Sequence, residues 1–206
     1  MPFVFKRLAL LMSIAAVAGR NKAPAAEKEH PQFDLAPAAS YASHQASENV
    51  TIGASVYDSA EKAKTAFGKL NPYQYGITPV LVVIQNDTGK TIQLEHMRVD
   101  YVAPDGSHVD ATPASDVRYL RGPSRPEQVP SPMPRIHRNK NPLNAWEIEG
   151  RAFSAKVIPP GQSAGGFFYF QTGHRPNSRL YITGIQEAGS GRELLYFEFP
   201  LKDDLQ

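Results

Sequence analysis

Five consecutive apolar residues, Val80 to Ile84, stand at the centre of the stretch ITPVLVVIQ. A strand with one wet face alternates apolar and polar positions, so an unbroken run predicts burial on both faces and a central place in a sheet. Upstream, VTIGASVY puts Val50, Ile52, Ala54 and Val56 on one face of a first strand. The stretch between, DSAEKAKTAFG, predicts a short helix. Asp58 and Glu61 stand three apart as in a capping box, Ala63, Ala66 and Phe67 form the apolar side, and Gly68 stops it.

After the turn NDTGK, the segment TIQLEHMRVDYVA carries apolar residues at Ile92 and Leu94, then at Met97, Val99 and Tyr101. The parity changes once, around Glu95-His96, which predicts a one-residue β-bulge. Pro104-Asp105-Gly106 turns the chain, and SHVDA reads as a short return strand. Three further strands close the sequence: GGFFYFQT, SRLYITGIQ and RELLYFEFPL, the last with Leu195, Phe197 and Phe199 on one face. A second helix is expected in LNAWEIEGRAF, with Asn141 as its cap, Pro142 at its first position, and Leu143, Trp146 and Ile148 near the core. Short strands separated by turn residues give a mainly β chain, an antiparallel β-sandwich with one or two short helices.

The first 48 residues follow no such pattern. Lys6-Arg7 precede LALLMSIAAVAG, an apolar run short for a bilayer and ending in small residues, the layout of a signal peptide over residues 1–19. Val17-Ala18-Gly19 resembles the start of a lipobox, but Arg20 stands where the lipidated cysteine would be, so lipid anchoring is doubtful. Removing Lys6 and Arg7 with the leader brings 22 basic residues level with 20 acidic ones. Near-neutral charge argues against a nucleic-acid binder. Residues 20–48, rich in Ala, Pro, Ser and charge, read as a disordered tether, leaving 49–203 for the sandwich. The absence of cysteine excludes disulfides, thiolate metal sites and cysteine nucleophiles.

The 18 prolines, about 9% of the chain against a typical ~5%, concentrate partly in a long loop at 112–141. That loop also holds Arg118, Arg121, Arg125, Arg135, Arg138 and Lys140 against Asp116 and Glu127. The positive excess makes these six residues the candidate partner-binding set. They would face another envelope protein, an anionic membrane surface or an acidic polymer. The alternative is that the arginines only solvate the excursion.

Gly161-Gln162-Ser163-Ala164-Gly165 spells the G-x-S-x-G of serine hydrolases. A nucleophile elbow places the serine after a strand and before a helix. Here Pro159-Pro160-Gly161 precedes it as a turn and GGFFYF follows as a strand, so Ser163 is read as turn material. The six histidines are scattered without metal-ligand spacing; the predicted hairpin brings His96 and His108 nearest to each other, where two ordinary strand histidines are expected over a shared metal. Asn49-Val50-Thr51 and Asn86-Asp87-Thr88 match glycosylation sequons and are taken as ordinary residues.

Taken together, YDSAEKAKTAFG, YQYGITPVLVVIQNDTGKTI, VIPPGQSAGGFFYF and ELLYFEFPL resemble motifs of a set of uncharacterised bacterial cell-envelope proteins, many of them lipoproteins, with an immunoglobulin-like domain. The resemblance spans about Val50 to Leu201. It implies an immunoglobulin-like form of the sandwich and a periplasmic or envelope location, and brings no catalytic residue, metal or cofactor. The expectation is a non-catalytic exported module for binding, scaffolding or assembly. A serine or metal-dependent hydrolase of the envelope is the alternative.

Overall fold

The computed structural model describes residues 34–120 and 141–202. The described residues form a mainly β fold with three antiparallel sheets. The strands β1 (Ser43–Ser47), β2 (Val50–Val56), β3 (Thr78–Asn86) and β8 (Ser163–Phe170) make the first sheet, in that order. The second large sheet has the order β11 (Phe197–Pro200), β9 (Arg179–Thr183), β5 (Arg98–Val102), β6 (His108–Asp110). A small third sheet joins β10 (Gln186–Glu187), β4 (Ile92–Gln93) and β7 (Val157–Ile158).

β3 lies between β2 and β8, as its apolar run predicts, and every residue from Thr78 to Ile84 is buried. Its two faces feed two cores. Val80, Val82 and Ile84 join Val50, Ile52, Ala54 and Val56 against Val99, Tyr101, Leu180, Ile182, Phe197 and Phe199 of the opposing sheet. Leu81 and Val83, with Phe167 and Tyr169, face the helices α1 (Ala60–Phe67), α2 (Ala114–Leu120) and α3 (Trp146–Gly150) through Ala63, Ala66, Phe67, Val117 and Ile148. The Tyr169 hydroxyl donates to the Ile148 carbonyl at 2.7 Å, and its burial pushes its pKa well above the ordinary phenol value. The result is a sandwich with a helical third layer on one outer face.

Several local expectations need correction. Helix α1 is capped by Ser59, whose Oγ accepts from the Lys62 amide at 3.2 Å, so Asp58 and Glu61 make no capping box. The parity change near Glu95-His96 is a turn rather than a bulge. The Met97 amide bonds the Leu94 carbonyl at 3.0 Å, and the chain passes from the small sheet into the large one. Within the expected 112–141 loop, residues 114–120 form α2. The second helix starts only at Trp146. Asn141 caps a turn, its Oδ1 accepting from the Leu143 amide, and Trp146 stays 48% exposed while Leu143 and Ile148 are buried. In the last strand Phe197 and Phe199 point inward, but Leu195 is 63% exposed and Leu194 is buried instead. The chain bends there because the Leu194 amide is held by the Ile185 carbonyl and the Leu195 amide by Glu48 Oε1.

The largest correction concerns residues 34–48, expected as tether. β1 pairs along its whole length with β2, from Ser43 opposite Ala54 to Ser47 opposite Val50. Ala38 is fully buried. Gly53 permits this approach, since a Cβ there would lie 2.1 Å from the Ala38 carbonyl oxygen.

Candidate functional site

The two lateral sides of the sandwich are finished differently. At the β1–β11 side, amides of the last strand and its flanks end on side chains. Ser43 Oγ accepts from Lys202 N–H (2.7 Å), Gln45 Oε1 from Glu198 N–H (2.8 Å) and Glu48 Oε1 from Leu195 N–H (2.9 Å). At the β6–β8 side no complete strand covers β8 among the described residues. After β6 the chain crosses to the other sheet, where Thr112 N–H donates to the Tyr169 carbonyl at 2.7 Å. Ala152-Phe153 supplies the other bridge. Phe167 N–H donates to the Arg151 carbonyl (2.8 Å) and Phe153 N–H to the Phe167 carbonyl (3.1 Å). Gly166 is required at this crossing, because a Cβ there would sit 2.5 Å from Phe153 Cα.

Between these bridges and β5 lies a cavity of about 560 Å³, with Met97, Val99, Ala111, Phe153 and Phe168 among its walls. A neighbouring cavity of about 370 Å³ shares Met97, Phe153 and Phe168 with it, so the two form one groove. The rings of Phe153 and Phe168 stack with centroids 5.2 Å apart and planes 24° apart. Both are only half-buried, leaving an apolar floor accessible from outside.

The rim is charged. Asp100 and Asp110 stand directly opposite each other in the β5–β6 register. Like charges at such a pair destabilise a sheet unless something relieves them. His108 Nδ1 lies 3.4 Å from Asp100 Oδ2, while Asp110 makes no side-chain hydrogen bond or ion pair among the described residues. Arg98 lines the same rim and pairs with neither carboxylate. Glu95 and Lys156 both line the adjoining cavity.

Of the sequence-predicted partner-binding residues, Arg118 lies on α2, its guanidinium 2.6 Å from Glu149 of α3 and stacked over the Tyr119 ring at 5.5 Å. It braces two helices instead of solvating a loop. Arg121, Arg125, Arg135, Arg138 and Lys140 fall outside the described residues, as do the leader and residues 20–33 of the expected tether. The carbonyl of Arg118 accepts from Asn141 Nδ2, tying together the two ends of the excursion.

Ser163 opens β8 opposite Gln85, exposed, and among the described residues its hydroxyl bonds no histidine. The preceding turn is closed by the Gln162 amide on the Pro159 carbonyl, with Gly161 at φ 71°. His108 pairs with Asp100 and sits opposite Val102, at the far end of β5 from His96. Asn86 of the second sequon is fully buried, its Nδ2 donating to the carbonyls of Lys90 and Ile158 at 2.8 Å each. At the β1–β2 end, Glu48, Arg192, Glu187 and Lys90 form an alternating chain of charges. Hydrogen bonds from Arg192, then Lys90 and Ser190, hold the Glu187 carboxyl at about 2. This network is charge-balanced and structural.

No signal in the sequence marked the groove. Phe153 read as the end of the expected helix segment and Phe168 as a strand residue, and their meeting depends on the crossing at Gly166. Among the described residues no helix is long and apolar enough to cross a membrane.

No described protein family and no curated protein matches the chain. Among solved structures, the "putative lipoprotein (ycdA)" of Bacillus subtilis aligns over 78% of this chain at 8% identity and a TM-score of 0.36. The chain spans only 39% of that protein's length. A functionally unknown protein of Listeria monocytogenes aligns over 77% of this chain and 82% of its own length, at 13% identity and a TM-score of 0.35. The secreted protein MPT63 of Mycobacterium tuberculosis aligns over 73% and 84%, at 14% identity and a TM-score of 0.31. Likeness at this level leaves the function to be argued from the chain's own residues.

Proposed function

We propose that this chain is a non-catalytic, exported module of the cell envelope, an immunoglobulin-like sandwich that binds a partner through the groove between β5 and β8. The strand order supports the immunoglobulin-like reading. β2, β3 and β8 stand in the order of that fold's A, B and E strands, facing β6, β5, β9 and β11 as C′, C, F and G. The connections from β3 towards β5 and from β8 to β9 pass between the two large sheets. Lys6-Arg7 followed by the apolar run LALLMSIAAVAG supports export.

The observation that carries the binding role is the unsealed side: a stacked aromatic pair, half-exposed, where a sandwich of this type would place another strand. Ser163, at the start of a strand and without a histidine partner among the described residues, supports the non-catalytic reading. The test is photo-crosslinking in a bacterial envelope. A benzophenone side chain placed at Ala155 or Ala114, on the groove, should trap a discrete partner, and one at Thr65 on α1 should not. Equal trapping from both positions, or none from the groove, would remove the site.

A further inference from the structure

The groove has a chemistry that narrows its occupant. Its floor is aromatic and aliphatic; at its edge Asp100 and Asp110 stand opposite each other on the outer face of the β5–β6 pair, because Val99 and Tyr101 point into the core, with one half-exposed histidine in reach. The arrangement is costly for the isolated domain, since opposed like charges repel. A cation brought from outside would remove that cost while an apolar neighbour covers Phe153 and Phe168.

Resting on the reading of the groove as a binding site, we propose that its ligand is a basic, apolar peptide segment of another protein. One lysine or arginine sits between Asp100 and Asp110, and a large apolar side chain sits on the Phe153–Phe168 stack. The two anchors differ in role. The ring stack supplies the burial that drives association, because apolar area removed from water is the main favourable term. The carboxylates select sign, because wrong-sign partners meet like charge at the rim. Arg98 on the same rim favours a single cation seated between the aspartates over a dense basic run. Arg98 stands two residues before Asp100 on the same face of β5 and would repel a second positive charge.

The test uses two blocked hexapeptides, acetyl-Val-Lys-Phe-Thr-Val-Thr-amide and its counterpart with glutamate in place of lysine. Both are titrated into the intact chain while backbone amide resonances are followed. The lysine peptide should shift amides of Met97, Asp100, Asp110, Phe153 and Phe168. It should bind about fivefold more tightly than the glutamate peptide at low salt, the size expected for partly exposed charge pairs. The preference should shrink as salt shortens the screening length. Asp100→Asn with Asp110→Asn should abolish the preference and leave residual binding. Equal binding of the two peptides in the groove, or a preference that survives both substitutions, overturns the basic-ligand proposal and leaves the groove reading standing. Shifts confined to other surfaces, or none, overturn both.

Discussion

Asn86 fills its hydrogen-bonding capacity at the junction of three elements. Its Nδ2 donates to the Lys90 and Ile158 carbonyls, and its Oδ1 accepts from the Thr88 amide (3.0 Å) and hydroxyl (2.6 Å). Asn86→Ala removes all four bonds. Thr88 and Lys90 are near solvent and recover water, whereas the Ile158 carbonyl belongs to a buried residue that closes β7 on β4. One stranded buried acceptor and the lost net bonds together cost about 3 kcal/mol. With a urea dependence of about 2 kcal/mol per molar, the midpoint should fall by about 1.5 M. Asn86→Asp sharpens the argument, because it turns a carboxylate oxygen towards two carbonyl oxygens. Burial and those dipoles raise the new group's pKa above its unfolded value. Protonated, the acid donates one of the two carbonyl bonds, which is kept below about pH 4 and lost as pH rises through the folded value. Urea titrations at pH 4 and pH 7 should show Asn86→Asp gaining on Asn86→Ala at the acid end. A midpoint loss under about 0.3 M for Asn86→Ala, or identical pH behaviour of the two variants, would refute this account of the junction.

Phe170 is fully buried in the sandwich core, so Phe170→Ala should cost about 3–5 kcal/mol in urea melts, and half-exposed Phe168→Ala clearly less. Ser163→Ala should change stability by no more than about 1 kcal/mol, and a fluorophosphonate probe should label neither it nor the wild type; labelling of the wild type alone would make Ser163 a nucleophile. The Tyr101 hydroxyl joins Ser178 Oγ (2.6 Å), the Arg175 amide (2.9 Å) and His174 (3.1 Å). Tyr101→Phe should therefore lower stability by about 1–2 kcal/mol and speed amide exchange in residues 174–178. Glu187 is held at about 2 against 4.5, so its share of stability is complete above pH 4.5 and lost as pH falls towards 2. Acid titrations of Glu187→Gln should lack that component.

The elements legible in the sequence are those whose side chains report burial. The run Val80–Ile84 specified a strand between two cores, and Ala63, Ala66 and Phe67 specified the inner face of α1. β1 was illegible for a physical reason. SHQAS has no apolar periodicity because its strand is held by backbone pairing and by Ser43 and Gln45 acting as acceptors. Two-residue strands such as β7 and β10 are too short to show a period. The break after Leu94 mimicked a bulge because both shift parity by one, and only the tertiary switch of sheets tells them apart. The groove was invisible for the opposite reason to β1: it is made where β8 meets only two isolated bridges instead of a paired strand.

The polar acceptors of β1 bear on association as well as on folding. A strand edge with bare amides is a template on which another chain can pair. Here the amides of Leu195, Glu198 and Lys202 are occupied by Glu48, Gln45 and Ser43, all within a segment that composition alone would discard. A chain clipped after residue 48 would keep most of its apolar core but carry two raw edges, β2 on one sheet and β11 on the other. Such a fragment would be prone to exchange strands with its own copies, so the low-complexity stretch before Val50 works as a built-in guard against self-polymerisation.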